Sequence, residues 1–273
     1  MSNRRKIIYI HIPKTGGSTL QGIFNRNYRR SMCINTQNDR VAHEKLKTKS
    51  PSEIANIQVI KGHMAFGHHK WFDGSDNLTY VTMLRDPVKR IISNYYFILS
   101  REEHRLHKEL KENNYSLKDY VRSGIASNAE NAQVRLLSNN IYCPHNGCTN
   151  EMLEEAKKNL DTYFSVVGIN EKFDETVLFL QQEFDWKFPY YARENVTGHG
   201  VKLTDLDQET IDTIRKYNAL DIELYNYVKS NFENRIEEAG QAFQDSLLGY
   251  KRKNKMIAKL IMLKRKLLHQ RNR

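Results

Sequence analysis

The sequence is poor in the residues that mark several common protein classes. Its 273 residues include three cysteines and five prolines, which excludes a disulfide-stapled or proline-rich chain. Its apolar runs fall short of the roughly 18 residues that a membrane-spanning helix needs. The apolar run near the N-terminus stops at Pro13, and no small-residue cleavage site follows, so we do not expect a signal peptide. The expectation is a cytoplasmic protein.

The positive charge of the chain is unevenly distributed. The formal net charge is +11, but residues 250–273 hold ten Lys and Arg and no acid. The other 249 residues carry 33 bases and 32 acids. A nucleic-acid-binding domain would spread its basic residues over a face of the domain itself. The excess charge therefore belongs to the C-terminal segment and not to the fold.

This C-terminal segment has apolar residues at helical spacing among its lysines, namely Met256, Leu260, Leu263 and Leu267. The pattern predicts a basic amphipathic helix. Such a helix fits an anionic membrane surface, a polyanionic glycan or another subunit of a homo-oligomer, and a partly ordered tail is the alternative. We expect one domain over residues 1–240 and a basic, helical tail over residues 241–273.

Short apolar segments alternate with amphipathic ones along the predicted domain. Strand patterns occur at residues 7–12, 57–60, 78–84 and 164–167. Helical patterns occur at residues 18–28, 88–100, 117–122, 129–137, 152–160, 173–184, 204–218 and 221–238, with Thr204 and Asp207 resembling a capping box. Residues 35–56 are polar, and we expect them to be irregular apart from a short helix after Pro51. Residues 101–114 are highly charged, and we expect them to be exposed. The alternation predicts an α/β fold with a central parallel sheet flanked by helices.

A glycine-rich turn stands between the first predicted strand and the first predicted helix. After Pro13 it reads Lys14, Thr15, Gly16, Gly17, Ser18 and Thr19. Glycines let the backbone approach an anion, the first amides of a helix point at it, and a lysine and hydroxyls add further donors. We therefore expect a phosphate-type ligand here, against the alternative of a simple helix start. In a kinase P-loop the lysine follows the glycines, whereas Lys14 precedes them.

A second candidate site begins where the strand pattern at 78–84 ends. Arg85 stands at the carboxyl end of that strand, where ligands bind in open α/β sheets. Asp86 is a good N-cap, Pro87 a good first helical residue, and Ser93 follows about two turns later. A guanidinium and a hydroxyl at this spacing suit one phosphate group. The alternative is that Arg85 forms a salt bridge and Ser93 has no special role.

A third candidate is His63, which follows the strand pattern at 57–60 in Lys61-Gly62-His63. Its position again predicts the carboxyl edge of the sheet. A histidine of ordinary pKa, ~6.5, is suited to accept a hydroxyl proton at neutral pH. The alternative is a histidine that only bonds the backbone. We expect His68 and His69 to be surface or acceptor-contacting residues.

These motifs, taken together and in this order, resemble those of carbohydrate sulfotransferases that use 3′-phosphoadenosine 5′-phosphosulfate (PAPS). The turn from Pro13 to Thr19 resembles their 5′-phosphosulfate loop, and Arg85 with Ser93 resembles their 3′-phosphate motif. The similarity is greatest to the heparan sulfate 2-O- and 6-O-sulfotransferase type. His63 matches the second histidine of their His-Gly-His stretch, whereas Lys61 replaces the first, a departure that bears on acceptor positioning.

The resemblance implies a P-loop-like sulfotransferase fold and sulfuryl transfer from PAPS to a hydroxyl of a carbohydrate or glycoconjugate. Lys14 and His63 would be catalytic, and residues 14–19 with Arg85 and Ser93 would bind the donor. Adenosine 3′,5′-bisphosphate would be the product, and no metal is expected. A later segment matches the cofactor-covering loop loosely, which makes Arg193, Asn195 and Thr197 candidate donor contacts. Enzymes of this kind in eukaryotes are usually anchored in the Golgi, so a Golgi lumenal location is the alternative to the cytoplasm.

Three interpretations of the Cys143-Pro144-His145-Asn146-Gly147-Cys148 loop stay open: free thiols, a disulfide, or a metal site with no evident fourth ligand. The 2-O-sulfotransferases also carry a cysteine pair in this region.

Two other functions remain as alternatives. A non-catalytic phosphonucleotide- or nucleic-acid-binding protein would need no base such as His63. An atypical P-loop kinase would need the missing G-K-[ST] and a carboxylate to hold Mg²⁺.

Overall fold

The first strand, β1 (Lys6–Ile10), lies at the centre of a five-stranded parallel sheet. The computed structural model describes residues 5–72, 77–193 and 203–271. The other strands are β2 (Cys33–Thr36), β3 (Val59–Gly62), β4 (Leu78–Leu84) and β5 (Phe164–Ile169). Their spatial order is β2-β3-β1-β4-β5, with every neighbouring pair parallel. The predicted α/β class with a central parallel sheet is confirmed.

Helices form the layers that flank this sheet, as parallel crossovers require. In chain order the described α-helices are α1 (Gly17–Asn27), α2 (Asp39–Lys47), α3 (Pro51–Asn56), α4 (Pro87–Leu99), α5 (His107–Glu112), α6 (Leu117–Arg122), α7 (Ala132–Leu137), α8 (Asn150–Tyr163), α9 (Phe173–Phe184), α10 (Gln208–Tyr217), α11 (Ala219–Glu238) and α12 (Gly240–Arg271).

Two apolar clusters hold the layers together. The main core surrounds the sheet, where Ile8, Ile10 and Val81 are almost completely buried. A second cluster joins α4 to α5, α6 and α10 through side chains such as Ile91 and Tyr120. Burial of each large apolar side chain contributes about 1.5–3 kcal/mol. The second cluster therefore fixes α4, the helix that follows Arg85.

The polar stretches contain more regular structure than the sequence predicted. Residues 35–56, expected to be irregular apart from a short helix after Pro51, include the end of β2, all of α2 and that helix, α3. Helix α2 buries only Ala42 and Leu46, so its apolar stripe is too narrow to stand out in the sequence. Residues 101–114 include α5, which buries one leucine, Leu110.

The start of α10 also differs from the prediction. The helix begins at Gln208, and its N-cap is Asp207, whose side chain accepts from the Thr210 amide at 2.8 Å. The expected cap at Thr204 is wrong, because Thr204 lies in the short 3₁₀ turn Leu203–Asp205 before the helix. Threonine and aspartate are both good N-caps, so Thr204 and Asp207 were both possible starts of the helix.

The last helix, α12, has two different parts. Its first three turns pack onto the main core through Phe243, Leu247 and Tyr250, and Phe243 stacks on Phe179 of α9 with ring centroids 4.4 Å apart. Beyond Asn254, Ile257 and Ile261 are half-buried, whereas Met256, Leu260, Met262, Leu263 and Leu267 are exposed. In the part of the chain that the structure describes, no helix is long and apolar enough to cross a bilayer.

Candidate active site

A cavity of about 520 Å³ opens at the carboxyl edge of the sheet, beyond the ends of β1, β3 and β4. This edge is where open parallel sheets bind ligands. Nine residues predicted from the sequence line the cavity: Lys14, Gly16, Gly17, Ser18, Thr19, His63, Arg85, Ser93 and Arg193. The fold therefore brings three separate sequence motifs to one place.

The loop between β1 and α1 turns sharply to present its backbone to the cavity. Lys14 and Gly16 both have left-handed backbone conformations, with φ of 69° and 89°. Helix α1 then begins at Gly17 without a side-chain N-cap, and its first residues line the cavity. The first amides of an α-helix have no partner within the helix and favour an anion. Thr15 differs from its neighbours, because its buried hydroxyl donates to the Ile12 carbonyl at 2.9 Å.

Glycine is required at position 17 because the ring of His11 occupies the space for a side chain. A Cβ on Gly17 would lie 1.8 Å from the His11 ring. The ring is buried, and its Nδ1 lies 2.9 Å from Nε2 of Gln21. Burial, and then the nearby His63 and Lys14, lower the pKa of His11, so this histidine is neutral at physiological pH. His11 thus forms a neutral floor beneath the glycine turn.

Lys14 is a cation held in a partly desolvated place. Its Nζ lies 3.8 Å from the centroid of the Phe97 ring, a cation–π contact with α4. Burial, followed by the charges of Arg85 and Arg101, lowers the pKa of Lys14 to about 8. Three cations near one cavity with a depressed lysine pKa favour a polyanionic ligand, since an anion would relieve their repulsion.

Arg85 is tied to the loop that carries Lys14. Its Nη1 donates to the Lys14 carbonyl at 2.9 Å, and its Nε is buried with no protein partner. The side chain of Gln133, from α7, binds both the Arg85 amide and the Arg85 carbonyl, at 3.0 and 3.1 Å. The guanidinium is thereby held at the cavity wall with hydrogen-bonding capacity left over.

Helix α4 carries Ser93 to the same wall. Its start is as predicted: Asp86 is the N-cap, accepting from the Lys89 amide at 2.9 Å, and Pro87 is the first helical residue. A fully buried ion pair anchors the helix, with Arg90 Nη2 3.5 Å from Asp221 Oδ2 on α11. Asp221 also accepts from the first amides of α7. The position of Ser93 thus depends on three helices.

His63 lies at the end of β3, where its ring faces the cavity. Its Nδ1 is 2.8 Å from the His11 carbonyl, and the two rings stack with centroids 4.3 Å apart. A carbonyl oxygen only accepts, so Nδ1 carries the proton and Nε2 keeps its lone pair. Burial lowers the pKa of His63, and its hydrogen bond to the His11 backbone raises it by less. His63 therefore both bonds the backbone and offers a neutral, basic nitrogen.

Three neighbours of His63 lie elsewhere. The side chain of Lys61 is buried and bonds to Asn25 of α1, and it does not line the cavity. The expectation that His68 and His69 are surface or acceptor-contacting residues is wrong for His68, whereas His69 is partly exposed. His68 is buried, with Nε2 2.7 Å from Asp39, and His69 bonds the Tyr80 hydroxyl at 2.9 Å. The sequence could not show this, because histidine is equally suited to a buried hydrogen bond.

The cysteine loop lies outside the cavity lining. Cys143 and Cys148 are free thiols in this structure, with their sulfur atoms 3.8 Å apart. Burial raises the pKa of the Cys148 thiol. Arg135 holds the loop through the carbonyls of Cys143 and Pro144. Among the described residues, no group of three or more His, Cys, Asp or Glu is arranged to hold a metal ion, so the zinc interpretation has no support here.

The segment before the expected covering loop closes one side of the cavity. Tyr191 and Arg193 line it, whereas Asn195 and Thr197 fall outside the described residues. The Tyr191 hydroxyl donates to Asp174 at 2.8 Å, and its amide donates to Asn254 of α12 at 2.8 Å. The C-terminal helix thus helps to hold the cavity wall.

Several other residues line the cavity and were not selected from the sequence: His11, Asn94, Phe97, His104, Asn128, Asn170, Phe173 and Tyr191. Phe97 was within reach of prediction, because it lies one helical turn after Ser93 and so on the same face of α4. His104, Asn128 and Asn170 come from separate loops, and no local pattern relates them.

Fold and cavity together define an α/β protein whose cationic cavity suits a ligand with more than one anionic group. The profile of a family described as "Sulfotransferase family" matches residues 1–228. The chain therefore belongs to the sulfotransferase family, and it is an enzyme that transfers a sulfuryl group from a sulfate donor. This confirms the resemblance seen in the sequence and does not favour the nucleic-acid-binding or kinase alternatives.

Curated relatives agree with this assignment. The chain is 24% identical over 253 residues to heparan sulfate 2-O-sulfotransferase 1 of Gallus gallus, covering 83% of this chain and 70% of the relative. The same protein of Homo sapiens gives the same identity and coverage. Galactose-3-O-sulfotransferase 3 of Bos taurus is 23% identical over 256 residues, covering 86% of this chain and 58% of the relative.

Proposed function

We propose that the enzyme transfers the sulfuryl group of PAPS to a hydroxyl of a carbohydrate or glycoconjugate. The observation that supports the proposal is the convergence, on a single cavity, of one basic nitrogen and two elements suited to bind anions. PAPS has a 5′-phosphosulfate and a 3′-phosphate, so it needs two such elements. The carbohydrate acceptor rests on the relatives, which are named for heparan sulfate and galactose.

The loop and α1 suit the 5′-phosphosulfate. Backbone amides of the loop and of the first turn of α1 would donate hydrogen bonds to this group. The residues concerned are Thr15, Gly16, Gly17, Ser18 and Thr19. The Lys14 ammonium would stabilise the negative charge that develops on the bridging oxygen as the bond to sulfur breaks. Because Lys14 is partly desolvated, this interaction is stronger than it would be in water.

Arg85 and Ser93 suit the 3′-phosphate. The unpartnered Nε of Arg85 and the Ser93 hydroxyl provide donors of the kind that phosphate oxygens accept. Arg193 on the opposite segment is a further candidate donor contact, and Asn195 and Thr197 remain predictions from the sequence. Anchoring a distant phosphate positions the reacting sulfur without taking part in the chemistry.

His63 is proposed as the general base. Its Nε2 would take the proton from the acceptor hydroxyl while that oxygen forms a bond to sulfur, and the sulfur–oxygen bond to the 5′-phosphate breaks. The products are a sulfate ester, adenosine 3′,5′-bisphosphate and the proton on His63. Positioning and charge stabilisation dominate such in-line transfers.

We keep the predicted division of the chain into a catalytic domain of residues 1–240 and a tail of residues 241–273. The family match over residues 1–228 supports the first part. The location in the cell stays a prediction.

Calorimetric titration distinguishes this function from its alternatives. Adenosine 3′,5′-bisphosphate should bind without added metal and more tightly than ATP. Tight, Mg²⁺-dependent binding of ATP would contradict the proposal. Incubation with sulfur-labelled PAPS and a panel of glycans, with simple alcohols and lipids as controls, should label a glycan. Labelling of a simple alcohol or a lipid in preference to every glycan would overturn the carbohydrate acceptor.

A further inference from the structure

The distal part of α12, residues 255–271, projects past the core with an apolar stripe exposed. Met256, Leu260, Leu263 and Leu267 follow one another at spacings of four, three and four, so they share one face of the helix. Between 53% and 65% of the surface of each is exposed. At about 1.5 Å per residue the distal part of α12 is about 24 Å long.

Lysines flank this stripe on both sides. At about 100° per residue around the helix axis, Lys259 lies about 40° beyond one edge of the stripe, and Lys264 lies about 40° beyond the other edge. Lys255 and Lys266 lie further round the same helix, and all four lysines are exposed. Among the described residues, no ion pair involves any of the four. The stripe and its charges are therefore available together to one partner.

We propose that the distal part of α12 docks on a membrane surface rich in anionic phospholipid. Such a surface satisfies both features at once, since leucines enter the boundary between headgroups and acyl chains while lysines bind the phosphates. A lysine beside the stripe can keep its stem on the apolar surface and extend its charge to the headgroups.

The other occupants satisfy only one of the two features. A polyanionic glycan would neutralise the lysines but leave the leucine stripe in water. A second copy of the helix would cover the stripe but would bring together segments that hold ten bases and no acid per chain over residues 250–273. Charge complementarity therefore favours the anionic bilayer.

The distal part of α12 lies outside the segment that matches the family. The family match ends at residue 228, before α12 begins at Gly240. The core-packed part of α12 also holds the cavity wall, because Asn254 accepts from the Tyr191 amide. A docked helix would thus fix the orientation of the cavity relative to the membrane.

Vesicle sedimentation of the full chain tests the proposal. The probes are vesicles of phosphatidylcholine alone and of phosphatidylcholine mixed with phosphatidylglycerol. The wild type should sediment with the mixed vesicles only, and less so as salt is raised. Failure to sediment with mixed vesicles at low salt would overturn the proposal, whatever the enzyme's activity.

Two variants separate the apolar contribution from the charged one. L260Q/L263Q removes the two apolar side chains in the middle of the stripe and keeps the positive charge. K255Q/K259Q/K264Q/K266Q removes four positive charges and keeps the apolar stripe. Each should weaken binding to mixed vesicles by more than about tenfold. Both leave the core-packed part of α12 intact, so turnover of a soluble acceptor should not change.

Matched controls use exposed residues away from the stripe. L248Q/M262Q changes two exposed apolar residues of α12 that lie outside the stripe, about 60° and 100° from its edge. K47Q/K111Q/K158Q/K216Q makes the same charge change on the body of the protein. Neither should alter binding. Equal loss in a control and its partner variant would contradict the proposal. The proposal would also be contradicted if the wild type formed a dimer that the L260Q/L263Q substitutions dissociate, or if the protein bound heparin but not vesicles.

Discussion

The Nδ1 atom of His63 lies 2.8 Å from the carbonyl oxygen of His11. This one contact decides which nitrogen of His63 is basic, and it lies at the junction of β1 and β3. A long segment of chain separates β1 from β3, so the sequence alone does not reveal the contact. It makes His63 the residue whose replacement is most informative.

Replacing His63 with Ala should lower sulfuryl transfer by about 10²–10⁴-fold, the range typical of a lost general base. His63→Asn keeps a donor for the His11 carbonyl but has no basic nitrogen, so it should be equally inactive. Binding of adenosine 3′,5′-bisphosphate should stay within a fewfold of wild type in both. Near-normal activity of the Asn variant would make His63 a structural residue.

The pH dependence of kcat/KM should be bell-shaped. Burial lowers the pKa of His63 below its ordinary value, so the acid limb should lie below pH 6.5. The pKa of Lys14 is about 8 in the free enzyme, so the charge on Lys14, and with it kcat/KM, should fall as pH rises through 8. In Lys14→Arg the residual activity should lack this basic limb, because arginine stays charged.

Removing the Ser93 hydroxyl should weaken the binding of one phosphate selectively. A hydrogen bond to a charged group contributes about 1.5–3 kcal/mol, so Ser93→Ala should bind adenosine 3′,5′-bisphosphate about 10–100-fold less tightly. Adenosine 5′-monophosphate, which has no 3′-phosphate, should bind the variant and the wild type alike. Titration calorimetry gives both values, and an equal loss for the two nucleotides would assign Ser93 elsewhere.

Gly17→Ala should abolish donor binding and lower stability, because the new Cβ would meet the His11 ring. The matched control is Gly249→Ala, on α12, where no atom lies within 4 Å of the added Cβ. Alanine is the better helix former by about 0.8–1 kcal/mol, so this control should raise stability slightly. Thermal unfolding with and without adenosine 3′,5′-bisphosphate distinguishes the two effects.

Asp221→Ala should destabilise the protein by about 3–5 kcal/mol, because it leaves Arg90 buried without a counter-charge. Urea unfolding measures the loss. Replacing both partners with apolar residues of similar size, as in R90M/D221L, should recover part of it. If the double variant were no more stable than the single one, the cost would come from the lost caps of α7 and not from the ion pair.

Four of the five strands and the loop between β1 and α1 were predictable because their signals are local, whereas β2 was not predicted. The strand at Leu78–Leu84 and the helix at Phe173–Phe184 were predicted with their observed bounds, since each is a strongly apolar or amphipathic run. The turn at Gly16 and Gly17 was predictable for a different reason. A lysine and two glycines between a buried strand and a helix are typical of an anion-binding loop.

The rest of the site depends on distant parts of the chain. Gln133 holds both backbone groups of Arg85, yet 48 residues separate the two. A buried glutamine has no sequence signature, because the same residue is common on surface helices. His104 and Asn128 reach the cavity from loops whose course is set by the packing of α4, α5 and α6.

The central place of β1 affects how the protein can be made. This strand leaves the ribosome before its neighbours β3 and β4, which end at Gly62 and Leu84. Its apolar residues stay unpaired until both partner strands, β3 and β4, have been synthesised. The outer strand β5 follows about 80 residues later. Parallel pairing over such separations is slow and leaves unpaired strand edges exposed. We expect a nascent chain to depend on chaperones until residue 84 has left the ribosome. The loop between β1 and α1 should form only after that.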